Sequence, residues 1–125
     1  MIWLAVAAGG ALGSMARHAV NVYFAHVLEH AIPYATGAVN LIGSVVIGLL
    51  AAFIATGRLH MSTELRTFVF VGILGGFTTF SSFMLDTFTL GHGGDHSLAF
   101  WNVALQVALG LAAVWGGYRL GTVVG

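Results

Sequence analysis

The sequence predicts an all-α integral membrane protein of four transmembrane helices, with a break in the third. Three observations predict it. Hydrophobic residues make up 58% of the 125-residue chain and charged residues only 6%, against about 25% in ordinary soluble domains. Four apolar stretches each reach the ~20 residues that a helix needs to cross a bilayer. The third stretch carries two adjacent glycines followed by alternating hydroxyl and aromatic residues, a poor continuation of a helix.

The first stretch runs over about 2–24 and is interrupted only by Arg17 and His18. Its N-terminus lacks the basic region and small-residue cleavage site of a signal peptide, so it reads as a retained helix. The second runs over about 32–56 without a charge, with Pro33, the only proline, where a helix can begin. Before the third stretch, at about 65–89, Ser62 and Thr63 are candidate N-caps and Glu64 suits a first turn. The fourth, at about 98–120, follows the glycine-rich turn Gly91-His92-Gly93-Gly94-Asp95-His96. The links are short, so neighbouring helices are expected to run antiparallel in one membrane domain. Trp3, Tyr23, Tyr34, Trp101 and Tyr118 fall near the segment ends, where amphipathic rings favour the lipid interface. Gly9 and Gly13, Gly72 and Gly76, and Gly117 and Gly121 each place small residues on one helix face, a spacing that permits close helix packing in lipid.

The same composition excludes several functions. Lysine is absent, and the full charges are Arg17, Arg58, Arg66, Arg119, Glu29, Glu64, Asp86 and Asp95, for a formal net charge of zero. Nucleic acid, which requires a basic surface, is not an expected partner. Without cysteine there is no disulfide, thiolate nucleophile or cysteine metal site. His92 and His96 are four apart but lie in a glycine-rich run, so their spacing is weak evidence for a metal. No nucleophile–base arrangement, phosphate-binding loop or carboxylate pair within one span supports an enzyme.

With four spans, Arg58, Arg66 and Arg119 lie near one side and Arg17 nearer the other. Three arginines against one is a weak bias under the positive-inside rule. Two topologies remain open: a single orientation, or insertion both ways with oppositely oriented copies paired about an axis in the membrane plane.

Three groups of residues stand out as candidate site residues. Gly75-Gly76-Phe77-Thr78-Thr79-Phe80-Ser81-Ser82-Phe83 reads as disrupted helix, tolerated at membrane depth only where it is buried in protein or lines a wet cavity. Phe80 and Phe83 share a face at helical spacing. They read either as core aromatics or as rings whose positive edges attract a small anion weakly enough to let it leave. Asn40, the amide in the second span, reads either as a helix–helix hydrogen bond or as a two-hydrogen donor to an anion, with Thr36 and Ser44 one turn to either side. Arg17 reads either as a snorkelling or paired charge or as a positive vestibule.

The run from Gly75 to Phe83 resembles the signature of the bacterial fluoride channels of the CrcB or Fluc family. Gly9-Gly10-Ala11-Leu12-Gly13-Ser14-Met15-Ala16-Arg17 resembles that family's first-helix motif, and Thr36-Gly37-Ala38-Val39-Asn40-Leu41-Ile42-Gly43-Ser44 its second-helix asparagine motif. The resemblance spans nearly the whole chain. It implies an antiparallel, dual-topology homodimer in the bacterial inner membrane, with two pores that export fluoride passively. Phe80 and Phe83 then line the fluoride path and Asn40 donates to the ion, with Thr36, Ser44, Thr79 and Ser81 as further polar lining. It also implies a structural sodium ion on the dimer axis, held by the backbone carbonyls of Gly75 and Thr78 from both subunits. His18, Ala35, Asn102 and Gln106 depart from the family pattern. A proton-coupled four-span exporter would need an acid in the first span, which has none. A non-transporting assembly subunit is the remaining alternative.

Overall fold

A computed structural model describes residues 1–124. Helix α1 (Ile2–Val27) is followed by α2 (Tyr34–Ala55), which begins directly after Pro33. The next helical run starts with α3 (Thr63–Arg66), capped by Ser62, whose side chain accepts from Leu65 N at 3.1 Å. It widens into a π-helical stretch over Thr67–Leu74 and tightens again in α4 (Gly75–Phe77). Thr78 is extended (φ −86°, ψ 160°). Helix resumes as α5 (Ser81–His92), and α6 (His96–Val123) closes the chain. Between α5 and α6, Gly94 turns the backbone with φ +92°, and Asp95 Oδ1 accepts from Leu98 N at 3.3 Å to cap α6. Among the described residues there is no strand.

Within the run Gly75–Phe83 that reads as disrupted, Gly75–Phe77 is helical and the non-helical backbone lies at Thr78 to Phe80. The π-helical stretch just before was not legible in the sequence. Tyr34–Ala55, Thr63–His92 and His96–Val123 are long and apolar enough to cross a membrane. Helix α1 has the length, at 26 residues, but Arg17, His18, Asn21 and His26 dilute its apolar run.

Small residues decide how the helices meet. Helix α1 lies against the π-helical stretch and α4, while α2 lies along α6. A Cβ added to Gly9 would stand 2.9 Å from the Gly72 Cα, and one added to Gly72 would stand 2.7 Å from the Gly9 Cα. Real side chains do not come so close, so any larger residue at either position forces these backbones apart. Gly48 on α2 and Gly117 on α6 meet the opposite backbone in the same way. Arg58 then ties the far end of α6 down, donating from Nη1 to the Gly121 carbonyl and from Nη2 to that of Thr122. A cation there satisfies free carbonyls at a helix C-terminus.

Val39 is the one large side chain that is fully buried among the described residues. Large apolar side chains such as Trp3, Met15, Val71, Leu85 and Trp115 are exposed along every long helical run. The interior holds polar groups instead: Thr36, Thr79 and Asn102 are buried, and among the described residues no buried side-chain polar atom lacks a hydrogen-bond partner. This pattern, apolar outside and satisfied polar inside, is that of a protein solvated by lipid.

Candidate functional site

The break after α4 creates a backbone problem. Thr79 sits between helices, and its peptide group has no place in either helical ladder. The second helix solves it with one side chain. Asn40 Oδ1 accepts from Thr79 N at 2.9 Å, and Asn40 Nδ2 donates to Thr79 O at 3.1 Å. The amide of Asn40 thus pairs with both backbone polar groups of Thr79, its N–H and its C=O, much as a strand residue pairs with its neighbour. The second Asn40 hydrogen goes to Gln106 Oε1 on α6 at 2.9 Å. Thr79 contributes its own cap: its Oγ1 accepts from Ser82 N at 3.1 Å, starting α5.

A groove of about 360 Å³ opens beside this clamp. Its walls include Asn40 and Ser44 from α2 and Gly75, Thr78, Thr79, Phe80 and Phe83 from the interrupted helix. Phe83 is 7% exposed and Phe80 72% exposed, with ring centroids 6.0 Å apart and planes at 88°. In this edge-to-face pair one ring is fixed in the interior while the other stands free on the outer side. A second cavity, of about 250 Å³, is lined by Arg17, Asn21, Thr36, Thr79, Ser82 and Asp86, among others. Thr79 belongs to both, so the clamped residue is the wall between them.

Of the predicted site residues, Asn40, Ser44, Phe80, Phe83, Thr79, Gly75 and Thr78 come together at the first groove, and Thr36 and Arg17 at the second. Ser81 is exposed and lines neither. Asn40 does make a helix–helix hydrogen bond, with both of its hydrogens engaged inside the protein. Ser44 Oγ donates to the Asn40 carbonyl one turn back at 2.7 Å, and Thr78 Oγ1 to Leu74 O at 2.8 Å. Asp86, one of the eight full charges, shares the second cavity with Arg17. Asn21 and Ser82 were not singled out in the sequence. The one-turn spacing from Arg17 to Asn21 was the available signal, since residues four apart share a helix face.

The backbone here also offers oxygens. Because Thr79 N donates to Asn40, the Gly75 carbonyl one turn earlier loses its ordinary helical donor. The Thr78 carbonyl lies outside the α5 ladder, whose first bond runs from Met84 N to Phe80 O. Gly75 and Thr78 both line the groove, and backbone carbonyls are the kind of ligand that suits a hard cation.

Comparison with known proteins decides the kinship. Residues 4–118 match the family described as CrcB-like protein, Camphor Resistance (CrcB). The chain belongs to the CrcB-like family. Its relatives include a protein of Agrobacterium fabrum, 43% identical over 116 residues covering 93% of this chain and 92% of the relative. Another, of Paramagnetospirillum magneticum, is 43% identical over 120 residues, covering 95% and 94%. A third, of Symbiobacterium thermophilum, is 39% identical over 122 residues, covering 97% and 98%. The first two carry the name fluoride-specific ion channel FluC and the third fluoride-specific ion channel FluC 1. Family membership thus covers both the interrupted helix and the asparagine that clamps it.

The clamp has a measurable stability. Asn40→Leu leaves the Thr79 N–H and C=O without partners, and is expected to cost roughly 2–6 kcal/mol, since each stranded buried group costs about 1–3 kcal/mol. Thermal unfolding of the purified variant in detergent checks it; an unchanged midpoint would contradict the clamp.

Proposed function

We propose that this chain is a fluoride channel of the bacterial inner membrane, not an enzyme, and that it exports fluoride passively from the cytoplasm. The observation that carries the proposal is the groove in which Phe80 and Phe83 stand edge to face beside the Asn40–Thr79 clamp. The names of the relatives support the choice of ion.

The chemistry follows from the wall of the groove. Fluoride is small and strongly hydrated, and a full positive charge would hold it too tightly for conduction. Ring edges and single hydrogen-bond donors bind it weakly and at several points. Chloride, larger and less able to use a close hydrogen bond, gains less there. Arg17, at the second cavity, raises the local concentration of anions without standing in the groove. Asn40 fixes the shape of the path, with its two amide hydrogens held by Thr79 O and Gln106 Oε1. In acidic surroundings fluoride enters a cell as neutral hydrogen fluoride and is trapped as the anion. A selective pore lets the anion leave, driven by the inside-negative membrane potential.

The working unit is an antiparallel homodimer, four spans per subunit, inserted in both orientations. Exposure of Phe80 and Gly75 supports it: both belong to the groove, yet both face outward from a single subunit. A second copy completes the wall and removes these groups from lipid. At the dimer axis the Gly75 and Thr78 carbonyls of each subunit would hold a structural sodium ion. Bound there, sodium neutralises converging carbonyl dipoles and staples the subunits together.

Fluoride efflux from liposomes, read with a fluoride-selective electrode, tests the function. Wild-type protein is expected to release fluoride with little chloride. Phe80→Ile and Phe83→Ile are each expected to slow release by at least roughly tenfold, a loss of about 1.4 kcal/mol. Replacing sodium with N-methylglucamine is expected to slow it too. Release of neither ion from folded protein would leave the assembly-subunit reading in place. For topology, an impermeant maleimide is expected to label a His60→Cys variant from both sides of sealed vesicles. Labelling from one side only would contradict dual insertion.

A further inference from the structure

Gln106 lies behind Asn40. It lines not the groove of Phe80 and Phe83 but a separate apolar cavity between α2 and α6. Its Nε2 donates to Asn102 Oδ1 at 2.8 Å. Asn102, 6% exposed, donates from Nδ2 to Thr87 Oγ1 at 2.9 Å. Thr87 Oγ1 donates to the Phe83 carbonyl at 2.8 Å. A chain of side chains therefore leaves the interrupted helix at Thr79, crosses α2 and α6, and returns to it at Phe83.

Each link has a direction, and the directions are forced in sequence. The Phe83 carbonyl can only accept, so the Thr87 hydroxyl hydrogen points to it and the Thr87 oxygen must accept from Asn102. That turns Asn102 Nδ2 toward Thr87 and Oδ1 toward Gln106. Gln106 must then present Nε2 to Asn102 and Oε1 to Asn40. Asn40 must in turn aim Nδ2 at Gln106, which leaves Oδ1 for the Thr79 N–H. An amide flipped anywhere along the chain would set two donors or two acceptors against each other, which costs more in a dry interior than in water.

We propose that Gln106, oriented by Asn102 and Thr87, is a positioning residue that reinforces the orientation Thr79 gives the Asn40 amide, and so steadies the fluoride path from behind. This rests on the fluoride reading for its effect on flux, but not for its effect on the clamp. The distal link gives a clean test because Thr87 can lose its hydroxyl or its methyl separately. Thr87→Val keeps the volume and removes the hydroxyl; Thr87→Ser keeps the hydroxyl and removes the methyl. A packing role would spare Thr87→Val and harm Thr87→Ser. The proposal requires the reverse.

Two readouts on protein in lipid nanodiscs and liposomes separate the cases. Hydrogen exchange of the Thr79 amide, followed by NMR, reads the clamp; fluoride efflux reads conduction. Gln106→Leu and Thr87→Val are expected to speed Thr79 exchange by roughly tenfold, the effect of one lost hydrogen bond, and to slow efflux. Thr87→Ser is expected to match wild type in both. If wild-type protein does not conduct but exchange responds as stated, the fluoride reading fails and the positioning of Asn40 stands. Unchanged Thr79 exchange in both Gln106→Leu and Thr87→Val overturns the proposal, as does a Thr87→Ser variant more impaired than Thr87→Val.

Discussion

A peptide group outside any helix cannot be left bare in a lipid-solvated protein, because no water is at hand to satisfy it. Around Thr79 that constraint is met by the side-chain amide of Asn40, which pairs with the N–H and the C=O of this residue, one from each of its two flanking peptide groups. Much of the rest is arranged around this contact. Gly43, next to Asn40 on the same helix, is bare so that the Thr78 side chain can come against α2. Gly9 and Gly72 bring α1 onto the wide-turn stretch just before the break. The polar chain through Gln106, Asn102 and Thr87 holds the clamp in one sense.

The clamp also generates the site. By taking the Thr79 N–H, Asn40 ends α4 and frees the Gly75 carbonyl; by anchoring Thr79, it sets where α5 begins and hence where Phe80 and Phe83 stand. The π-helical turns over Thr67–Leu74 belong to the same region, as such distortions often do at functional sites. In the proposed channel the groups that meet the anion are backbone dipoles, ring edges and amides rather than charges. That suits an ion that must pass rather than stay.

Much of this was legible in the residues. The long apolar stretches, the Ser62 cap, the helix start after Pro33 and the turn at Gly94 are local signals, and local chemistry produces them. Asn40, Phe80 and Phe83 stood out because polar and aromatic residues in a dense apolar chain need a reason. What the residues concealed was tertiary. The whole run from Gly75 to Phe83 read as disrupted helix, with no position inside it for the break. That position is set by Asn40, 39 positions earlier in the chain than Thr79, and no local propensity carries that. Ser44, counted as a pore hydroxyl, spends its hydrogen on its own helix, a common fate of such residues that sequence does not decide. Gln106, read as a departure from a polar lining, turned out to be a support for Asn40.

The central claim is that fluoride passes along the groove where Phe80 and Phe83 meet the clamped break. Solid-state NMR measures it directly, by recoupling ¹⁹F of fluoride with ¹³C placed in the phenylalanine rings of the protein in bilayers, and assigning the signals with single Phe→Ile variants. The account predicts that fluoride dephases the ring carbons of Phe80 and Phe83 and not those of Phe24 or Phe100. Dephasing absent from both Phe80 and Phe83 at saturating fluoride, in protein that conducts, would contradict it.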